Sequence, residues 1–236
     1  MKIIAIDSSG LVATVGIASE DAMIAEYTVN YKKTHSQTLL PMLNEIKEMT
    51  ELDLDEVAAI AIASGPGSFT GLRIGSATAK GLGLALEKPI IEIPTTDALA
   101  MNMWGCSDII CPIMDARRDQ VYTGIYEFDE NDDLVVIKKS FADYIDAVVE
   151  DLNRISRPVV FLGDGVPVYK DAIAAKITIP YRFAPAHMSR QRAGALASLA
   201  MKYYSEGKIV SAADHKPDYI RPSQAERVRN SSKDQG

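Results

Sequence analysis

One run, Gly65-Pro66-Gly67-Ser68-Phe69-Thr70-Gly71-Leu72-Arg73-Ile74-Gly75, constrains this chain more than any other segment. It follows the apolar stretch 57–63, which reads as a buried strand, and opens onto the periodic segment 72–86, which reads as a helix. A strand, a glycine-rich turn and a helix N-terminus point several backbone N–H groups at one spot, which is how proteins hold phosphates. No Lys-Ser or Lys-Thr follows the glycines, so the loop is not a Walker A motif. The spacing from Gly67 to Gly71 also misses the dinucleotide fingerprint by one residue. The loop suits an anion without naming it. Its candidate nucleotide-binding residues are Gly65, Gly67, Ser68 and Thr70, joined by Asp7 from the end of the first strand.

The helix carries a second message. Gly71, Gly75, Ala79 and Gly83 recur every four residues and line one face, and Ala77, Gly81 and Ala85 repeat the pattern on a neighbouring strip. Each interior glycine costs about 1 kcal/mol relative to Ala, so Gly75, Gly81 and Gly83 together weaken the helix by roughly 3 kcal/mol. Something must approach the helix backbone closely. Either a strand or helix of the same domain does so, or a second protein chain.

The 236 residues fit one large domain or two modest ones. With 47% hydrophobic and 24% charged residues, core formation at this size is expected. The net charge of −7 argues against a general affinity for nucleic acid, so any RNA contact needs a partner or a local patch. Cys106 and Cys111 match no zinc framework and are expected to be reduced thiols. The apolar start at residues 3–6 is too short for a signal peptide, and no stretch approaches a membrane span. The expectation is a cytoplasmic protein without membrane contact.

Along the chain, strands are expected at 2–6, 12–18 and 23–29, and a helix at 35–49 with Leu39, Leu43, Ile46 and Met49 on one side. Pro41 either lies in the first turn of that helix or bends it. The strand at 57–63, the glycine loop, the small-residue helix and a strand at 89–93 complete a first unit. The pattern then restarts with strands at 109–114, 120–128 and 134–138, a helix at 141–153, a strand at 159–162 and a helix at 166–175. An Ala-rich helix spans 192–204. The reading is an α/β chain of two lobes, each a mixed sheet flanked by helices. One lobe covers 1–103 and is completed by a returning helix at 188–206; the other covers 104–187. The polar segment 222–236 reads as a disordered tail.

A start of three strands, a helix, a strand and a helix, with Asp7 closing the first strand, resembles the actin-like, sugar-kinase and Hsp70 fold. Within it, several segments resemble the TsaB (YeaZ) family of bacterial tRNA-modification subunits. They are Ile6-Asp7-Ser8-Ser9, His35-Ser36-Gln37 followed by Leu39-Leu40-Pro41, the glycine loop, Asp115-Ala116-Arg117-Arg118 with Val121-Tyr122, and Tyr219-Ile220-Arg221. The match is dense over 1–97 and patchier over 109–165; relatives more often carry Thr in the first turn, where Gly10 stands here.

The resemblance implies a part in making threonylcarbamoyladenosine at position 37 of tRNAs that read ANN codons. It implies a non-catalytic subunit that pairs with and activates a related, metal-bearing TsaD subunit, with TsaE joining the pair and TsaC supplying the adenylate. It further implies a homodimer when the chain is isolated, and tRNA contact only through the complex. The implied interface is the two N-terminal helices: Leu39, Leu43 and Ile46 on the first, and Gly71, Arg73, Ile74, Gly75, Thr78, Ala79 and Gly83 on the second. No cofactor is expected on the chain alone; an adenine nucleotide at the subunit boundary is the one further expectation.

Metal-binding relatives use two histidines four apart on one helix, whereas His35 has Leu39 four residues on, and the other histidines are His187 and His215. A metal site is therefore not expected, and His35 reads as a cap or surface residue. Asp7 reads as a turn-capping carboxylate before it reads as a kinase-like metal or water ligand; Asp164, between two glycines, is the one candidate for a second acidic loop. Ser68 has no evident base. Arg73 is placed either to bridge to a partner or phosphate or to make a surface ion pair; Arg117 and Arg118 either pair with Asp115 or contact tRNA. Arg227, Arg229 and Lys233 in the tail give a weak RNA signal. The rival readings are an ATP-dependent small-molecule kinase of the same fold and a metallopeptidase.

Overall fold

A computed structural model describes residues 1–31 and 34–221, and in it the chain forms two five-stranded sheets. The first contains β1 (Lys2–Asp7), β2 (Ala13–Ser19), β3 (Met23–Val29), β4 (Val57–Gly65) and β5 (Ile90–Pro94), in the order β3-β2-β1-β4-β5. The second contains β6 (Ile109–Asp115), β7 (Gln120–Phe128), β8 (Leu134–Tyr144), β9 (Val159–Leu162) and β10 (Tyr181–Phe183), in the order β10-β9-β6-β7-β8. Read from its antiparallel edge, each sheet is a three-strand meander followed by two parallel strands. One topology thus occurs twice, giving the two mixed-sheet lobes of the actin-like, sugar-kinase and Hsp70 fold.

The helices are α1 (His35–Met49), α2 (Phe69–Ala85), α3 (Thr95–Met101), α4 (Ile145–Ile155), α5 (Val166–Lys176) and α6 (Ala193–Ser205). Strand alternation sorts the first core into two layers. Ile4, Ile6, Ile60 and Ile62 face α1 and α2, while Ile3, Ala5, Ala59 and Ala61 face α6. The α6 side is built from small residues on both partners, with Ala193, Ala197 and Ala200 against those strand alanines. The second sheet buries Ile109, Cys111 and Phe161 against Val148 and Leu152 of α4 and Ile173 of α5. Between the lobes, α3 packs Leu99 and Ala100 on Ile110 and Tyr126. The Tyr126 hydroxyl lies 2.7 Å from both Thr96 Oγ1 and Asp97 Oδ1, tying α3 to β7.

The structure departs from the sequence reading in four places. α2 begins at Phe69 because Ser68 caps it, accepting from the Gly71 N–H at 3.3 Å. β8 continues to Tyr144, since β7 needs a partner along its whole length, so α4 starts only at Ile145. The short α3 and β10 were not anticipated. Of the two placements open to Pro41, the structure has it inside α1, on the exposed side. Among the described residues no helix is long and apolar enough to cross a membrane. The segment 222–236, read as a disordered tail and holding Arg227, Arg229 and Lys233, lies outside the described residues.

Candidate functional site

The glycine loop closes on its own chain. The Ser68 N–H donates to the Ser9 carbonyl at 2.6 Å, and the Ser8 hydroxyl donates to the Gly71 carbonyl at 2.9 Å. A Cβ on Gly67 would overlap the Ser9 carbonyl oxygen. Gly65 has φ +134°, and a Cβ there would overlap the Asp218 carbonyl oxygen. The loop is therefore clamped between the turn after β1 and a C-terminal strap at 208–221. That strap is held by Asp218 N–H on the Ser64 carbonyl at 2.7 Å and by Tyr219, whose ring centroid lies 4.7 Å from that of Phe69. Two N–H groups that a phosphate would use, those of Ser68 and Gly71, are already engaged.

In front of the loop a cleft of about 430 Å³ opens between the lobes, lined by Ser9, Gly67, Ser68, Asp115, Arg117 and Asp164, among others. Its character is acidic. Asp7, beneath it, caps the turn by accepting from the Ser9 N–H at 2.8 Å, as expected. Burial pushes its carboxyl up to about 6; the bonds from Ser9 oppose this, and the nearby Asp164 adds to it. Burial also raises Asp164, which accepts from the Asp115 N–H at 3.2 Å; Arg190 offsets this and Asp115 reinforces it. The two candidate acids, remote in sequence, are thus brought within electrostatic reach of each other, Asp164 in the cleft lining and Asp7 buried. Arg117 pairs with Asp115 at 3.7 Å and is otherwise exposed. His35 Nε2 lies 2.9 Å from the Gly10 carbonyl oxygen, tying α1 to the turn. Among the described residues no three His, Cys, Asp or Glu side chains converge to hold a metal.

The small-residue row faces inward, contrary to the open row required for a second chain. A Cβ on Gly71 would overlap the Ser8 carbonyl oxygen, and one on Gly75 would overlap the Ser8 hydroxyl and approach Ile62 at 3.1 Å. At Gly83 it would lie 2.8 Å from Ala212 and 3.0 Å from Ile90. Ala79 is fully buried, and Leu39, Leu43 and Ile46 belong to the same core. What approaches is the chain itself: the turn after β1 at Gly71 and Gly75, with Ile62 of β4, and Ile90, Lys88 and Ala212 at Gly83. Ile74 packs partly on this core, and the Thr78 hydroxyl donates to the Ile74 carbonyl at 2.9 Å.

The neighbouring strip points outward instead. Arg73, Ala77, Gly81 and Ala85 are exposed, and a Cβ on Gly81 would meet nothing within 4 Å. Leu84 beside it is 60% exposed, as are Leu40 at 53% and Met49 at 79% on α1. Arg73 stacks its guanidinium 4.0 Å over Phe69 and donates to the Tyr219 hydroxyl at 3.3 Å. The signal was present in the sequence: Arg73 stands in the same four-residue row as Ala77, Gly81 and Ala85, and a charge marks the solvent side. Thr70, in the first turn, is also exposed.

Comparison with known proteins adds to this geometry. Residues 22–228 match the family model described as "TsaD: tRNA N6-adenosine threonylcarbamoyltransferase". The Bacillus subtilis tRNA threonylcarbamoyladenosine biosynthesis protein TsaB is 34% identical, with 96% of each chain covered. Its Escherichia coli counterpart is 29% identical over 94% of this chain and 95% of its own. A Pseudomonas aeruginosa structure, described as similar to peptidase YEAZ, aligns with a TM-score of 0.80 at 25% identity, covering 93% of this chain and 99% of that one.

Proposed function

The chain belongs to the TsaB (YeaZ) family of tRNA threonylcarbamoyladenosine biosynthesis proteins, and we propose that within it the chain acts as a non-catalytic scaffold. It binds a TsaD-type subunit through the outer face of α1 and α2 and activates that subunit for threonylcarbamoyl transfer to adenosine 37. The observation that carries this reading is the open strip on α2. Gly81 lacks a side chain where nothing in the chain requires one to be absent, and exposed Leu84, Leu40 and Met49 lie on the same pair of helices. A glycine that costs about 1 kcal/mol in an exposed helix is explained by a backbone arriving from outside. The interface is thus shifted one strip from the row Gly71, Gly75, Ala79 and Gly83.

The cleft supports the same reading. Asp115 and Asp164 line it with Arg117 as the one Lys or Arg side chain among its lining residues, and Asp7 is buried nearby, an arrangement that disfavours a polyphosphate. With two loop N–H groups engaged as well, the residues of this chain alone do not fit a nucleotide. A nucleotide at the subunit boundary would meet Thr70 and Arg73. TsaE, a homodimer of the isolated chain and contact with tRNA through the complex belong to the same proposal.

The test is co-elution with a TsaD-type subunit. Gly81→Arg should abolish the complex without lowering the melting temperature of the isolated chain. Co-elution of that variant at wild-type stoichiometry would overturn the interface.

A further inference from the structure

The opposite face of the first sheet carries a second unpartnered surface. There α6 borders an open cleft of about 670 Å³, closed by the β2–β3 turn and the end of α3. Its floor on α6 is flat, made by Gly194, Ala195 and Ser198; its walls are Met23, Met101 and Met201. At the rim stands Trp104, the one tryptophan of the chain, 63% exposed. A further cleft of about 470 Å³ shares Met101, Trp104 and Ser198 and continues along α6 towards β8.

The backbone N–H of Trp104 donates to the Met101 carbonyl at 3.2 Å, closing the turn after α3, and its neighbour Met103 is buried between the lobes. An exposed tryptophan beside three methionines matches the anchor-and-adaptable-wall composition of binding surfaces. Charge selects the occupant. The rim cations Arg192, Lys202 and Lys208 are each paired with a rim carboxylate: Glu26, Asp133 and Glu206 respectively. Glu20, Asp21 and Asp132 have no cation partner among the described residues. The residual field is negative, which repels an RNA backbone and disfavours a second copy of a chain with net charge −7.

We infer that the α6–Trp104 cleft is a docking site for an amphipathic helix of a partner protein, apolar on one face and basic at its flanks. Small residues on α6 let the helix approach closely, its apolar anchors fill the methionine walls, and its flanking Lys or Arg meet Glu20, Asp21 and Asp132. The site lies across the sheet from α1 and α2, so both faces can be occupied at once.

Trp104 is its own reporter. The probe is a tryptophan-free helical peptide with Leu in an i, i+3, i+4, i+7 pattern and Lys or Arg at both flanks, titrated into the isolated chain. Its control carries Glu in place of the basic residues. A saturable blue shift with the basic peptide, weakened by salt and lost by at least about tenfold in affinity in Ser198→Arg, supports the site. Ser198 is exposed, and an unchanged thermal melt establishes that the variant is folded. No shift, equal binding of the Glu control, or undiminished binding by folded Ser198→Arg overturns it. A blue shift that grows with protein concentration in the absence of peptide also overturns it, by assigning the face to a second copy.

Discussion

Three glycines on α2 make the sharpest forecast, because each has different surroundings: the Ser8 carbonyl at Gly71, the Ser8 hydroxyl at Gly75 and open space at Gly81. Gly81→Ala should stabilise the chain by about 1 kcal/mol, since its Cβ meets nothing within 4 Å and only the helix-propensity term remains. At this chain length that raises the melting temperature by about 2–4 °C. Gly75→Ala places a Cβ on the Ser8 hydroxyl; overpacking of about 1–3 kcal/mol, and disturbance of the Ser8–Gly71 bond worth about 1 kcal/mol, outweigh the same propensity gain. The net loss is about 2 kcal/mol. Gly71→Ala strikes the Ser8 carbonyl, which cannot rotate away, and should cost about 3 kcal/mol or more. Ser8→Ala removes the obstructing hydroxyl, so it should recover about 1 kcal/mol in a double mutant with Gly75→Ala and nothing with Gly71→Ala. Denaturant midpoints at constant slope read all of these. Equal stabilities for the Gly71 and Gly81 variants, or strict additivity of Ser8→Ala with Gly75→Ala, would refute the inward placement of the row.

Other outcomes follow from the same geometry. The Asp7 carboxyl, raised to about 6 when folded against an unperturbed 3.8, binds its proton more tightly in the native state. Its contribution is therefore most favourable below pH 4 and is lost between about pH 4 and 6, a span of about 3 kcal/mol. Asp7→Asn, which keeps an acceptor for the Ser9 N–H, should be more stable than wild type at pH 7.5 and not at pH 4; equal differences at both would contradict this. Tyr219→Ala should cost about 1–2 kcal/mol by removing the Phe69 stack and the Arg73 bond, and should expose the α2 N-terminus to faster hydrogen exchange. Leu84→Asp, at an exposed position, should leave folding intact and weaken co-elution with a TsaD-type subunit by at least about tenfold.

Much of the fold could be read directly because its signals are local. The strand at 120–128 and the helix at 35–49 follow their patterns to their ends, and the strand at 159–162 is a short continuous apolar run between turns. What escaped reading depends on tertiary partners. Residues 139–144 become strand only because β7 lies alongside, and α3 is a seven-residue helix secured by packing between lobes. The restart of the strand pattern shows in the sequence, but the common strand order of the two sheets does not, since the strands of the two lobes share order but not residues. At the site, the Asp7 cap and the importance of α2 were legible. Which α2 strip faces outward was misread, because glycine spacing reveals close approach without saying what approaches. The convergence of Asp7 and Asp164 required the lobes to be assembled.

Reconstitution of threonylcarbamoyladenosine formation on an ANN-decoding tRNA, with a TsaD-type subunit, TsaE and TsaC and with or without this chain, tests the central claim most directly. Modification should require the chain, persist with Asp7→Asn, and fail with a folded Gly81→Arg variant. Equal product without the chain, or wild-type yield from Gly81→Arg, would contradict a scaffold acting through the outer face of α1 and α2.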